Sequence, residues 1–216
     1  MSASDAPVPV ECGEPLVDCT GLDPRVLWDA SYRKRGVPGA PERLHLRAEV
    51  FRRLRRAAGS LPAGYALLVF DGHRSLETQK ALYDGFCRTL RREHPALGEA
   101  ALLELVDDFA AKPEKNLLRP FPHSTGGAVD LTVAKDGAPL DMGTDFDDAS
   151  PLARADAEVP EPAKSNRRLL RGVMEGAGFV PYEGEWWHFA YGERLWARAN
   201  GKTPIYGFIE RHPREK

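Results

Sequence analysis

Two short stretches of this 216-residue sequence hold side chains suited to work on a polarised bond. In Phe121-Pro122-His123-Ser124-Thr125-Gly126-Gly127-Ala128-Val129-Asp130, an imidazole stands seven residues before a carboxylate, across a glycine pair. In Glu185-Trp186-Trp187-His188-Phe189, a carboxylate and an imidazole sit among three aromatics. Burying either without a partner costs several kcal/mol, so packing alone is a poor reason for them. A lone histidine is most often a hydrogen-bonded structural side chain. Taken together, His123, Asp130 and His188 supply two imidazoles and one carboxylate, the donor set of a catalytic zinc with its fourth position left for water. Such a zinc lowers the pKa of its water toward ~7 and polarises a carbonyl. Glu185 would then take the proton of the attacking water and hand it to a leaving amine.

These groups must be positioned by the elements around them. Ala128 to Ala134 alternates as a strand, which puts Val129, Leu131 and Val133 on a core face and Ala128, Asp130 and Thr132 on the other. The Gly126-Gly127 break lets His123 fold back over Asp130. Phe179 to Tyr182 and Glu185 to Tyr191 are predicted as a closing pair of strands. Residues three apart on a strand point to opposite faces, so Glu185 can share a site with His188 only from a bend after Gly184. Tyr65 to Phe70 reads as a buried strand after Pro62-Ala63-Gly64, with Arg74 just past its end. Helices are predicted from Pro41 to about Gly59, after a Ser75 cap, from Gly98 to Ala111 with Leu102, Leu105, Val106 and Phe109 inward, and from Lys164 to Ala177. Asp145 to Glu161 is acidic and aperiodic, hence a loop. Strands interspersed among helices at hairpin-like spacing favour an α+β fold.

Composition narrows the function classes. Thirty Lys and Arg against 32 Asp and Glu leave a net charge of −2, so no global field draws the chain to nucleic acid or an anionic membrane. The arginines at 43, 47, 52, 53, 55 and 56 form a basic helix face, read as a solvated surface. The longest unbroken apolar run is the six residues Tyr65 to Phe70, against the ~20 that span a bilayer. Cys12, Cys19 and Cys87 form no CxxC pair and read as thiols of a reducing compartment. Residues 1–20 carry no secretory pattern and read as a loosely held leader before a single domain over 21–216. A cytoplasmic location is expected.

The motif Pro122 to Asp130 followed by Glu185-Trp186-Trp187-His188 resembles the zinc D-alanyl-D-alanine dipeptidases of the VanX type, within the wider group of D-Ala-D-Ala peptidases and hedgehog-like metal domains. Trp28-Asp29-Ala30-Ser31-Tyr32, Asp71-Gly72-His73-Arg74, Met142 to Asp147 and Asn166 to Arg171 resemble family segments in the same order. The resemblance spans most of the chain from Leu22 to Tyr191.

It implies a central antiparallel sheet with helices packed around it and one zinc per chain on His123, Asp130 and His188. Glu185 is implied as general acid/base and Arg74 as the group that stabilises the oxyanion, a task its fixed charge suits. Tyr32 and Asp147 would help hold a dipeptide's free ammonium, and Asp71 would support the arginine or the substrate. The implied partner is a short peptide, with neither nucleic acid nor membrane; self-association of the chain is compatible with this. Phe121 and Pro122 stand where well-studied members have serines that position the substrate, and Ser75 replaces a usual proline. Two alternatives differ in what they need: a cell-wall carboxypeptidase or endopeptidase requires export, and an inactive zinc-holding module requires neither Glu185 nor Arg74.

Overall fold

A computed structural model of the chain describes residues 7–210, apart from the side chains of Asp108 and Phe109. The inward orientation expected of Phe109, and residues 1–6 of the expected leader, lie outside the described residues. The architecture is α+β. Its main sheet runs β2 (Val26–Trp28), β4 (Tyr65–Asp71), β5 (Ala128–Lys135), β8 (His188–Ala190) and β7 (Val180–Pro181), with β6 (Ala138–Pro139) pairing on β5. The pairings are antiparallel except β2 with β4, which is parallel. The centre of the sheet is antiparallel, as expected, and one parallel pairing is added at the β2 edge. The parallel strand is reached through α1 (Ser31–Lys34), β3 (His45–Arg47) and α2 (Ala48–Ser60), a connection long enough to cross over.

Alternation along β4 and β5 divides the sheet. Leu67 and Val69 pair with Val133 and Leu131, and all four are buried with Val50, Phe51 and Leu54 of α2 and Leu170 and Met174 of α5 (Ala163–Gly176). The opposite face carries Asp130 and Thr132 and is roofed by Phe146, which stacks on Phe70 with ring centroids 4.6 Å apart. α3 (Leu76–Glu93), capped by the Ser75 hydroxyl on the Thr78 amide, pairs with α4 (Glu99–Phe109) around a separate cluster of Tyr83, Leu90, Leu102 and Val106. α6 (Arg194–Asn200) packs Trp196 and Ala197 on Ala190. Among the described residues no helix is long and apolar enough to cross a membrane.

Two further expectations are corrected. The helix predicted from Pro41 begins only at Ala48, because His45, Leu46 and Arg47 extend as β3 against β1 (Leu16–Asp18). Arg47, expected on the solvated face, is therefore buried. Residues 10–19 are not a loose leader. The Val10 and Cys12 amides donate to the carbonyls of Pro204 and Ile205. The Glu11 carboxylate takes both terminal nitrogens of Arg47, at 3.0 and 2.8 Å, and Glu14 accepts from the Tyr206 hydroxyl at 2.8 Å. Glu11, in the stretch that read as a loosely held leader, is held by a buried arginine expected on the solvated face.

Candidate active site

Three neighbouring strands set a row of side chains abreast. Asp71 on β4 is the register partner of Asp130 on β5, and Asp130 is the partner of His188 on β8. Cross-strand partners share a face with Cβ atoms about 5 Å apart. Strict alternation would send Asp71 to the core face with Val69; a bulge between Val69 and Asp71 slips the register by one and returns it to the side of Asp130.

His123 joins from a turn of 3-10 helix, Pro122–Thr125, that leads into β5. Gly126 ends that turn at φ +70°, where a side chain would be strained. A Cβ on Gly127 would stand 2.5 Å from the Tyr191 carbonyl, so this pair of glycines is required by geometry. His123 Nδ1 lies 2.8 Å from the Gly72 carbonyl, which fixes Nδ1 as donor and leaves Nε2 free to face the cluster. His123 Nε2 stands 3.3 Å from His188 Nδ1 and 3.3 Å from an Asp130 oxygen; the other Asp130 oxygen is 3.0 Å from His188 Nδ1. The three ligand atoms lie within 4.8 Å of one another, and all three residues are buried. Donors at about 2.0–2.1 Å from a tetrahedral zinc stand roughly 3.3–3.4 Å apart, so the set fits such an ion in both chemistry and spacing.

Glu185 meets the condition set for it. It lies outside any strand: its amide donates to the Tyr182 carbonyl and its own carbonyl accepts from the His188 amide, a tight turn that ends as β8 begins. Its carboxylate thereby reaches 3.8 Å from His188 Nδ1 on the same side of the sheet. Burial pushes the Glu185 carboxyl up to about 7, with Asp130 and Asp147 adding to the rise and His188 and Arg74 opposing it. Burial alone would also raise Asp130, but the two imidazoles outweigh it and hold this carboxyl well below the usual range.

Arg74 follows β4, its amide donating to the His123 carbonyl. Its Nε donates to Asp71 at 2.7 Å and its Nη1 to Gln79 at 2.8 Å. Nη2 is less fully engaged, 2.7 Å from the same Asp71 oxygen but 3.5 Å from Asp130 and 3.5 Å from the Tyr32 hydroxyl. Tyr32 in turn donates to Asp147 at 3.0 Å. All eight residues singled out in the sequence thus belong to one connected constellation, with Tyr32 and Asp147 at its rim. Gln79 was missed: it is buried, it orients Arg74, and its amide donates to the Ala111 carbonyl at 2.7 Å. Its place one turn into α3 on the Arg74 side was the available signal. Arg35, paired with Asp147 at 2.7 Å, was also missed.

A mixed sheet that sets a His-Asp-His cluster, a neighbouring glutamate and a buried arginine on one face defines a metallopeptidase type of site. Residues 16–204 match the peptidase family M15, described as D-ala-D-ala dipeptidase, and the chain belongs to that family of peptidases. A D-alanyl-D-alanine dipeptidase from Synechocystis sp. is 29% identical over 231 residues, covering 95% of this chain and 90% of the relative. Among solved structures, VanYB in complex with D-alanine-D-alanine aligns with a TM-score of 0.51 at 15% identity, over 91% of this chain and 89% of that one. A D,D-pentapeptidase VanY variant in complex with Zn(II) aligns at 0.50 and 15% identity, over 91% and 90%. At that identity these two share the fold.

Proposed function

We propose that the chain is a zinc-dependent dipeptidase that hydrolyses D-alanyl-D-alanine or a small dipeptide like it. The observation that carries this reading is the mutual spacing of His123, Asp130 and His188, 3.0 to 3.3 Å between donor atoms, with Glu185 beside them. The relatives' names and the zinc in a neighbour of the same fold support it. Zinc on those three residues would supply Lewis acidity to the scissile carbonyl and to a water. Glu185 accepts the proton of the attacking water and delivers it to the departing amine. Arg74 turns its under-used Nη2 toward the oxygen on which negative charge develops, held in aim by Asp71 and Gln79. Asp147, with Tyr32, takes the substrate's ammonium at the rim. Phe146 and Trp187, edge to face at 5.6 Å, keep bulk water from the reacting bond.

The test joins metal content to turnover. Zinc-loaded protein should carry about one ion per chain and release D-alanine from D-Ala-D-Ala, and His123→Ala should lose the ion. Glu185→Gln should retain its zinc and lose roughly 10²–10⁴ in kcat. Zinc loss in the Glu185 variant, or full turnover by metal-free protein, would overturn the assignment.

A further inference from the structure

Asp147 is already occupied. Its Oδ1 accepts from Tyr32, and its Oδ2 accepts from Arg35 Nη2 at 2.7 Å. Arg35 follows the last turn of α1, its amide donating to the Ser31 carbonyl, and its guanidinium lies 4.8 Å from the Tyr32 ring centroid and 5.9 Å from that of Phe146. Two aromatic faces and a carboxylate therefore hold a cation at the rim of the site, an arrangement that suits a planar guanidinium. Arg35 stays half exposed, so its guanidinium is open to solvent beside Asp147. Only Nη2 of Arg35 is engaged by Asp147, so the remaining N–H groups of its guanidinium can meet an incoming ligand.

A dipeptide with an uncharged first side chain would bring its ammonium to Asp147 beside this guanidinium, like charge against like. A first residue with a carboxylate side chain removes the conflict, because its ammonium and carboxylate are a few ångströms apart and of opposite sign to Asp147 and Arg35. We propose that Arg35 is a specificity-determining residue that directs the enzyme to dipeptides whose amino-terminal residue is acidic. This inference rests on the dipeptidase reading and on Asp147 as the ammonium's partner.

The experiment compares D-Asp-D-Ala and D-Glu-D-Ala with D-Ala-D-Ala on the zinc-loaded full chain, with affinities measured in parallel by calorimetry on Glu185→Gln. The acidic dipeptides should bind about fivefold more tightly, the scale of a half-exposed ion pair. Arg35→Ala should abolish that advantage, with the loss falling chiefly on KM for the acidic dipeptides. Arg35→Glu should move the preference to D-Lys-D-Ala. Arg35 sits at a helix end with half its surface in water, so both variants keep the fold. Equal changes for all three dipeptides, or an acidic advantage undiminished in Arg35→Ala, would overturn the proposal. Turnover of D-Ala-D-Ala by the parent chain with no acidic preference would sink this inference and leave the dipeptidase reading standing.

Discussion

Among the described residues, Arg47 and Arg74 both meet carboxylates inside the fold, and they are used differently. Arg47 on β3 has a partner in every direction: Thr125 carbonyl on Nε at 2.8 Å, Glu11 on both terminal nitrogens, the Glu14 carbonyl on Nη1, and the Tyr206 ring 4.9 Å away. Arg74 has two firm partners and a third side held at 3.5 Å from Asp130 and Tyr32, while Asp71 Oδ1 is buried with no hydrogen bond. A buried charge saturated by its neighbours fixes structure, and one left short of partners keeps capacity for a ligand. The two regions also touch. Arg47 binds the Thr125 carbonyl and its amide donates to the Gly126 carbonyl, so the saturated knot braces the turn that presents His123.

That difference can be broken experimentally from either end. Arg74→Ala should lower kcat/KM by about 10²–10³ in the folded fraction, the cost of losing one oxyanion donor, and also lower stability, because Asp71 is left buried without its partner. Arg47→Met should separate the two effects: about 2–3 kcal/mol less stability by urea unfolding, with the folded fraction still turning over substrate at the parent rate. That is below the ~3–5 kcal/mol of a fully buried pair because Glu11 keeps contact with solvent. If Arg47→Met abolished zinc binding in protein that stayed folded, bracing and site would be one unit and the distinction between them would fail.

The site was more readable in the sequence than the frame that braces it. His123, Asp130, Glu185 and His188 announce themselves because polar groups among glycines and tryptophans have few structural reasons to be there. Even the obstacle at Glu185 was visible, since period-2 alternation forbids residues 185 and 188 from sharing a face. The bulge that turns Asp71 was not visible, because a single-residue slip leaves no mark in the Tyr65 to Asp71 pattern. Nor was β3. Leu44, Ala48, Phe51 and Leu54 keep helical spacing through a stretch whose first part is held extended by pairing with Leu16 to Asp18. Tertiary pairing overrode a local periodicity that was itself correct from Ala48 onward. The N-terminal segment failed for a related reason: Glu11 and Glu14 look solvated until Arg47 and Tyr206, 36 and 192 residues away, are brought to them.

The smallest expected effect tests that segment directly. Burial alone raises the Glu11 carboxyl, but the amides of Gly207 and Gly13 and the Arg47 guanidinium outweigh it and hold it below the ordinary glutamate value. A carboxyl whose folded-state pKa is depressed contributes stability that is fully present above its unfolded value, about 4.3, and is lost as the pH falls through the lower folded value. Glu11→Gln should therefore cost about 0.5–1 kcal/mol at neutral pH, since Glu11 is partly exposed, and the gap to the parent should close as the pH falls below about 4. Unfolding midpoints in urea from pH 7 to pH 3 measure this. A gap that stayed constant across the range would mean that Glu11 holds the terminus by shape and neutral hydrogen bonds, and that the charge on Arg47 is met chiefly by the Glu14 and Thr125 carbonyls.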